Sequence, residues 1–242
     1  MGGLARAVTE PCVFVLWESA RPSQRRILDD LARRFDVHDV LELTWPAGVF
    51  SRNLTRLYGE ALPQGSDKEH ECGTGPFLVV VASDSRPRYA TRRTTRGLRR
   101  VNTRAARAKS RYRRWTGGGF RVHGSLDRVE AERDLRLLLR EGPGARAGRR
   151  WDGVIRPDAT DPVGWADARD LLASVEAATP ASLAGEDGAV VHIVAEDVWW
   201  ATVIAGGDPP PADARAAHAV VSIGARPRTL RVTAPEVPSA NE

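Results

Sequence analysis

The sequence predicts an α+β protein, and three observations support this fold class. Short apolar runs of strand length recur along the chain, segments with apolar residues at helical spacing lie between them, and glycine and proline residues separate the two kinds of segment. The chain has 242 residues, of which 42% are hydrophobic and 28% are charged. This composition is typical of a globular protein that buries a core.

The first three predicted strands are separated by two helices. We expect strands at 12–17, 37–43 and 76–82, a helix that begins at Ser23 and reaches about residue 35, a second helix at 49–61, and a polar loop at 63–75. The strand at 76–82 is a continuous apolar run, as expected for a strand buried on both faces.

A basic segment, a strand and a helix complete the predicted core. The basic segment has helical potential at 99–114, glycines break the chain at 117–119, and a short strand follows at 120–123. Asp127-Arg-Val-Glu130 is a capping-box signature, so a helix should begin there and run to about residue 140. The resulting βαββαβ order, with extra helices, predicts a ferredoxin-like sandwich.

The remaining residues predict a small α/β accessory domain. Residues 141–150 have the glycine-rich composition of a linker between a domain at 10–140 and a second domain at 151–242. In the second domain we expect a helix at 164–178, a strand at 189–195 and weaker strands at 199–204, 219–223 and 228–233.

The net charge of +5 is distributed very unevenly along the chain. Residues 86–122 hold 14 basic and no acidic side chains, whereas residues 151–242 hold 6 basic and 14 acidic ones. A segment without any carboxylate should face an anionic ligand or an acidic surface of its own chain.

Composition also excludes several classes of protein. No run approaches 18 uncharged apolar residues, which argues against a membrane-spanning helix, and the N-terminus lacks the pattern of a signal peptide. We therefore expect a cytoplasmic protein whose two cysteines, Cys12 and Cys72, are reduced. Two cysteines are too few for a disulfide framework or a thiolate metal site, and we predict no metal site formed by the protein alone.

The most informative short motif surrounds His123. This histidine ends a predicted strand and is followed by Gly124-Ser125 and a capped helix, which places its ring at a tight turn. Asp134 lies on the second turn of that helix, from which its carboxylate could reach back to the ring. A carboxylate that accepts one ring N–H fixes the tautomer and leaves the other nitrogen as a nucleophile. The arginines upstream are suited to binding a polyphosphate.

These residues resemble the nucleoside diphosphate kinases, whose hallmark is Asn-x-x-His-Gly-Ser-Asp followed by a helix with a Glu. The match here is His123-Gly124-Ser125, with Asp134 in the place of the Glu. The similarity also covers Gly75-Pro76 with the following strand and Leu57-Tyr58-Gly59-Glu60, and it spans roughly 12–140.

The resemblance implies a nucleotide-dependent phosphotransferase. His123 would accept and pass on a γ-phosphoryl group, Asp134 would orient its ring, and Ser125 would support the turn. The residues that would bind substrate phosphates or the nucleotide are Tyr58, Arg93, Arg99, and either Arg111 or Arg113 as a second phosphate-binding arginine. Mg²⁺ would arrive with the nucleoside triphosphate, the acceptor stays undetermined, and a homo-oligomer is the expected assembly.

The chain departs from this family at three positions that matter. Trp17-Glu18-Ser19 stands where the family has Lys-Pro-Asp, Phe120 replaces the Asn of the motif, and Leu126 replaces its Asp. Either the arginines have taken over phosphate binding, or the activity is altered or lost.

The departures are similar to those of a divergent branch found in larger bacterial proteins of cell-surface polysaccharide synthesis. There the core precedes a nucleotidyltransferase-like domain with paired acidic metal ligands. The corresponding stretch here is 186–193, in which the predicted strand lacks the paired acids, so the resemblance implies a degenerate relic of such a domain.

Other interpretations of the basic segment stay open. A non-catalytic protein could use it to bind nucleotide or nucleic acid, since Tyr112 and Trp115 are interleaved with arginines. The segment could instead pack against the acidic region 151–242, or the protein could be an accessory factor for a biosynthetic partner.

Overall fold

The computed structural model describes residues 9–60, 62–94, 97–139, 141–142, 144–146, 148–158, 164–165, 168–176, 179–187, 189–205, 207, 210–211, 213–223 and 226–235. The strands are β1 (Glu10–Leu16), β2 (Asp36–Leu43), β3 (Phe77–Asp84), β4 (Tyr89–Thr94), β5 (Gly97–Asn102), β6 (Val122–Gly124), β7 (Arg156–Pro157), β8 (Gly164–Trp165), β9 (Ala181–Glu186), β10 (Val190–Ala195), β11 (Ala216–Ile223) and β12 (Arg226–Thr233). The helices are α1 (Gln24–Arg34), α2 (Ala47–Tyr58), α3 (Asp67–Cys72), α4 (Thr103–Trp115), α5 (Arg128–Leu139), α6 (Ala168–Glu176) and α7 (Val198–Ile204), with a 3₁₀ helix at Glu18–Ser23.

The described residues form a mixed α and β structure with three sheets, in agreement with the predicted α+β class. They divide into two compact units, the first drawn from 1–48 and 64–160 and the second from 49–63 and 161–242. Among them, no helix is both long enough and apolar enough to cross a membrane.

The first unit is organised around a sheet with the strand order β6-β1-β3-β2-β7. β1 pairs antiparallel with both β3 and β6, β2 pairs antiparallel with β3, and the short β7 runs parallel to β2. β1 and β3 are buried along almost their whole length, which explains their nearly continuous apolar sequence.

Alternate residues of the central strands face two helices on one side of the sheet. Phe14 and Leu16 of β1 and Leu78 and Val80 of β3 share a core cluster with α1 and α4. The buried residues of α1 recur at helical spacing, so this helix forms because its apolar stripe is covered by the sheet. Phe14 contacts the ring of Tyr112 on α4, with centroids 6.0 Å apart.

The opposite face of the sheet is covered by α5. Val122 of β6 belongs to the cluster with α1 and α4, so the next residue, His123, points to the other face because side chains alternate along a strand. This alternation directs His123 toward α5.

The described residues of 141–158, interpreted above as a linker and the start of a second domain, belong to the first unit. Arg146 binds the carboxylates of Asp39 and Glu141, and His38 contacts Arg149 O through Nδ1 and Ser83 Oγ through Nε2, both at 2.8 Å. These contacts attach the segment to the β2 side of the sheet.

The second unit has its own sheet, with the order β8-β11-β12-β10-β9, and the helices α6 and α7. β10 and β12 are parallel, whereas β9–β10 and β11–β12 are antiparallel pairs. Asp187 lies in the stretch 186–193, which corresponds in position to the metal motif of the divergent branch. Its carboxylate accepts hydrogen bonds from Ala189 N and Val190 N at 2.7 Å and so stabilises the turn before β10.

Three local predictions were wrong. The loop predicted at 63–75 contains α3, residues 99–102 of the predicted helix lie in β5 of a β4–β5 hairpin, and residues 199–204 lie in α7 rather than in a strand. In each case a side-chain cap sets the start of a helix. Ser66 Oγ accepts from Glu69 N at α3, Asn102 Oδ1 accepts from Arg104 N at α4, and Asp197 Oδ1 accepts from Trp200 N at α7.

Candidate active site

His123 lies at the centre of β6, a three-residue strand at the edge of the first sheet. It is paired with Val15 of β1, and its side chain is only 2% exposed. Trp17 N donates to Arg121 O at 3.1 Å and Ser125 N donates to Val13 O at 2.9 Å, so the backbone on both sides of His123 is hydrogen-bonded to β1. The histidine is therefore held at a fixed position on the sheet.

Asp134 of α5 accepts a hydrogen bond from His123. Its Oδ2 lies 2.7 Å from His123 Nε2, and the carboxylate is fully buried. The predicted orientation of the ring by Asp134, eleven residues further along the chain, thus corresponds to a direct contact. With the proton on Nε2, the lone pair of the ring is at Nδ1.

Burial and neighbouring charges keep this pair in the neutral-histidine, ionised-carboxylate form. Burial lowers the pKa of His123 more than the charge of Asp134 raises it, and Lys109 lowers it further. Burial acts to raise the pKa of Asp134, but the charge of Arg133 and the hydrogen bonds donated by His123 and Arg133 outweigh it, so the pKa lies below its usual range.

Arg133 neutralises the charge of Asp134. Its guanidinium lies 2.9 Å from Asp134 Oδ1 and 3.9 Å from Glu130, and its side chain is 11% exposed. A buried carboxylate needs such a partner, since an isolated buried charge is strongly destabilising.

His123, Glu130 and Asp134 bring three potential ligand atoms within 4.8 Å of one another. The arrangement does not suit a metal ion. His123 and Asp134 are at hydrogen-bond distance, closer than two ligands of one ion with bonds of about 2.1 Å, and the other oxygen of Asp134 is bound by Arg133. The geometry of these residues is that of a hydrogen-bonded pair beside an arginine.

Ser125 fixes the turn that follows His123. Its Oγ accepts from Val13 N at 2.9 Å and donates to Val13 O at 3.4 Å. Gly124 is packed against the ring of Phe14, where a β-carbon would come within 2.9 Å of Cδ1. The His-Gly-Ser sequence is therefore needed locally: the glycine allows close packing and the serine attaches the turn to β1.

Two cations of α4 bind the outer backbone of β6. Arg113 Nε donates to Val122 O at 2.9 Å and Lys109 Nζ donates to Gly124 O at 3.1 Å. Because Arg121 and Ser125 direct their backbone toward β1, these two carbonyls face away from the sheet. Arg113, one of the residues predicted to bind phosphate, thus donates a hydrogen bond to the strand that carries His123.

The other predicted arginines are at different places in the first unit. Arg99 of β5 binds Asp127 at 2.6 Å and lies 3.8 Å from Glu130, Arg111 of α4 binds Asp30 at 3.1 Å, and Arg93 is exposed on β4. Arg99 therefore reaches the acidic group next to His123, whereas Arg111 is engaged with α1. Tyr58 ends α2 and belongs to the second unit, where it is partly buried.

Two carboxylates near the predicted departures from the family motif have structural roles that the sequence did not indicate. Glu18 accepts from Gly75 N at 2.7 Å, and Glu71 of α3 accepts from Phe120 N at 2.7 Å. Gly119 has a φ of 65° and lies so close to Glu71 that a β-carbon would collide with the carboxylate. Glu71 could be found only once α3 is recognised, through the capping box Ser66-x-x-Glu69.

Comparison by structure finds similarity to a crystal structure of the nucleoside diphosphate kinase of Aquifex aeolicus. The match has 12% sequence identity and a TM-score of 0.35, and it covers 53% of this chain and 93% of that chain. No protein-family model matches the chain, and no curated protein matches it in sequence. A TM-score this low carries no argument about family or activity, so the function has to be argued from the geometry around His123.

Proposed function

We propose that the protein is a nucleotide-dependent phosphotransferase that works through phosphorylated His123. The proposal depends above all on one observation, the 2.7 Å hydrogen bond between His123 Nε2 and the buried Asp134. An ionised carboxylate that accepts a hydrogen bond from Nε2–H leaves the lone pair of the neutral imidazole on Nδ1, which makes Nδ1 the nucleophilic atom. The contact between His123 and Asp134 supports the proposal, because the resemblance to nucleoside diphosphate kinases implies an acidic residue that orients the ring.

The proposed reaction has two steps. Nδ1 of His123 attacks the γ-phosphorus of a nucleoside triphosphate, supplied as its Mg²⁺ complex, and the bond from that phosphorus to the β,γ-bridging oxygen breaks. The nucleoside diphosphate leaves with the electron pair. The phosphorylated ring, still protonated at Nε2, is a cation, and Asp134 stabilises it. An acceptor nucleophile then takes the phosphoryl group from Nδ1, which restores the neutral histidine.

The topology of the first unit supports the ferredoxin-like fold that this proposal assumes. The strands β1, β2, β3 and β6 stand in the order β6-β1-β3-β2 with antiparallel neighbours, and the crossover helices α1 and α4 pack on one face. A βαββαβ sandwich would have this strand order and this packing of its helices. The hairpin β4–β5 and helix α5 would then be additions to that core.

The burial of His123 places a requirement on the mechanism. With 2% of the side chain exposed, a triphosphate reaches Nδ1 only if neighbouring groups move. The charge of Lys109 acts on the ring of His123, so this side chain would be a cation near the transferred phosphate.

Phosphorylation with radiolabelled nucleotide tests the proposal. Incubation with γ-³²P-labelled ATP or GTP and Mg²⁺ should label the full-length protein with phosphate that is labile in acid and stable in base. His123→Ala should abolish the label. His70→Ala removes an exposed histidine of α3 and is the matched control, which should keep it. Absence of label in the wild-type protein, or label that survives in His123→Ala, would contradict the proposal.

A further inference from the structure

The arginines of the basic segment fall into two groups. Some are neutralised by carboxylates of the first unit: Arg99 by Asp127, Arg104 by Asp84 and Arg111 by Asp30. Others are exposed and have no ion-pair partner among the described residues: Arg86, Arg88, Arg92, Arg93, Arg100, Arg107 and Arg114. The internal carboxylates therefore account for only part of the positive charge, and the exposed group, which we call the arginine surface, needs another explanation.

Three of the seven residues of the arginine surface, Arg92, Arg93 and Arg100, lie on the hairpin β4–β5. This hairpin is a separate two-stranded sheet, and its base is anchored because Val101 and Asn102 are buried and Asn102 Nδ2 donates to Asp84 at 3.0 Å. Farther from the base, Arg92 and Arg93 are both exposed although adjacent residues point to opposite faces. Both faces of the outer part of this two-stranded ribbon thus carry an exposed arginine, although Arg99, on the same face as Arg92, is bound by Asp127.

The charges on the ribbon are not placed where stability alone would favour them. Arg92 lies directly opposite Arg99 across the strand pair, and like charges in such a position are destabilising. Asp127 forms an ion pair with Arg99 and so offsets part of this repulsion, but no described carboxylate forms an ion pair with Arg92. Leu98, opposite Arg93, is 75% exposed, so the ribbon also presents apolar surface to solvent.

The shape of the surface distinguishes between kinds of nucleic acid. A two-stranded ribbon fits the major groove of B-form DNA, which is about 12 Å wide, whereas the major groove of duplex RNA is too narrow. Single strands are usually bound by stacking on several exposed aromatic rings. On the ribbon the exposed ring is Tyr89, and the guanidinium of Arg100 already covers it at 4.8 Å.

We propose that the ribbon β4–β5 is a binding site for duplex DNA, with the arginines of its exposed surface contacting backbone phosphates on either side of the major groove. Arg107 and Arg114 lie seven residues apart on α4 and therefore share a face of that helix, so the exposed arginines are not confined to the hairpin. The inference does not depend on phosphorylation of His123.

Fluorescence anisotropy with the full-length protein and a fluorescein-labelled 20-base-pair DNA duplex tests this site. Affinity is measured over a range of NaCl concentrations for the wild-type protein and for the triple variant Arg92→Gln/Arg93→Gln/Arg100→Gln. Each phosphate contact contributes about −0.9 to the slope of log K against log salt, so the triple variant should make the slope shallower by about 2.7. The charge-matched control Arg25→Gln/Arg33→Gln/Arg231→Gln changes exposed arginines outside the segment and should keep the wild-type slope.

Two further measurements make the result specific. Single-stranded DNA and duplex RNA of the same length should bind more weakly than duplex DNA, and His123→Ala should bind duplex DNA like the wild-type protein. Equal losses in the triple variant and its control, or equal binding of duplex RNA, would overturn the proposal. So would an absence of salt-dependent binding by the wild-type protein. None of these outcomes affects the labelling experiment on His123.

Discussion

Replacing Asp134 by Asn tests the central geometry with the smallest change in volume. In the wild-type protein, Oδ2 of Asp134 accepts from His123 Nε2 at 2.7 Å and Oδ1 accepts from Arg133 at 2.9 Å. An amide has one accepting oxygen. Arg133 always donates, so the oxygen turns toward it and the NH₂ group faces His123 Nε2. The ring must then carry its proton on Nδ1, which removes the lone pair from the proposed nucleophilic atom.

The expected loss of activity is large and the loss of stability moderate. The corresponding substitution in the His–Asp pair of a hydrolase triad reduces turnover about 10⁴-fold through the wrong tautomer, and we expect a similar reduction in the rate of His123 phosphorylation. Removing one partner of a buried ion pair costs about 3–5 kcal/mol. Because Glu130 stays 3.9 Å from Arg133 and the amide oxygen still accepts, we expect the lower part of that range or slightly less, about 2–3 kcal/mol.

Three measurements separate these effects. Urea unfolding gives the loss of stability, the initial rate of ³²P incorporation gives the loss of activity, and ¹⁵N chemical shifts of the ring report the tautomer. Asp134→Glu restores a carboxylate of the kind that the resemblance implies, so it should recover most of the labelling despite the added methylene. A folded Asp134→Asn protein that is labelled at the wild-type rate, with its proton still on Nε2, would refute the argument.

Three other predictions concern groups around the same strand. Burial lowers the pKa of His123 below 6.5, so below that pH the unfolded chain binds a proton that the folded chain excludes, and the free energy of unfolding should fall with decreasing pH. The contribution of His123 to the slope of this free energy against pH is at most about 1.4 kcal/mol per pH unit. The slope should be smaller in His123→Gln when urea unfolding is compared at pH 7.5 and 5.5. Ser125→Ala removes both hydrogen bonds to Val13 and should lower the free energy of unfolding by about 1–3 kcal/mol in the same assay. Burial and, secondarily, the charge of Asp84 raise the pKa of the Cys12 thiol, so this cysteine should react with a disulfide reagent only after denaturation; rapid reaction of the native protein would show that β1 opens.

The helix after His123 and the position of Asp134 could be predicted because the sequence signals for them involve residues that are close together in the chain. The capping signature at 127–130 corresponds to a real cap, since Asp127 Oδ1 accepts from Glu130 N at 2.8 Å. Glu130 reaches back to Leu126 N rather than to the cap residue itself. Once the helix begins there, its geometry places Asp134 on the turn that faces the end of β6.

The hairpin β4–β5 was missed because its strands lack an apolar alternation. Strand patterns arise when one face is buried, and here both faces of the outer part carry exposed residues. The later part of the same segment does form a helix, but Asn102 sets its start at Thr103 rather than at 99. Helix α7 was predicted as a strand because valine and tryptophan favour strands, while the cap at Asp197 favours a helix.

The roles of individual arginines could not be predicted, since their partners are distant in sequence. Arg111 and Asp30 are 81 positions apart, and Glu71 and Phe120 are 49 apart. Charge counting indicates that a segment must meet negative charge. Only the fold distinguishes the arginines that meet internal carboxylates from those that stay in solvent.

The covering of β6 by Lys109 and Arg113 also bears on self-association. An edge strand with unpaired carbonyls can pair with a strand of another molecule, which is a common route to aggregation. Here two side chains of α4 occupy the outward carbonyls of Val122 and Gly124, so a foreign strand would have to displace both cations before it could add to the sheet. The basic segment therefore protects the end of the sheet that carries His123 from intermolecular β-pairing.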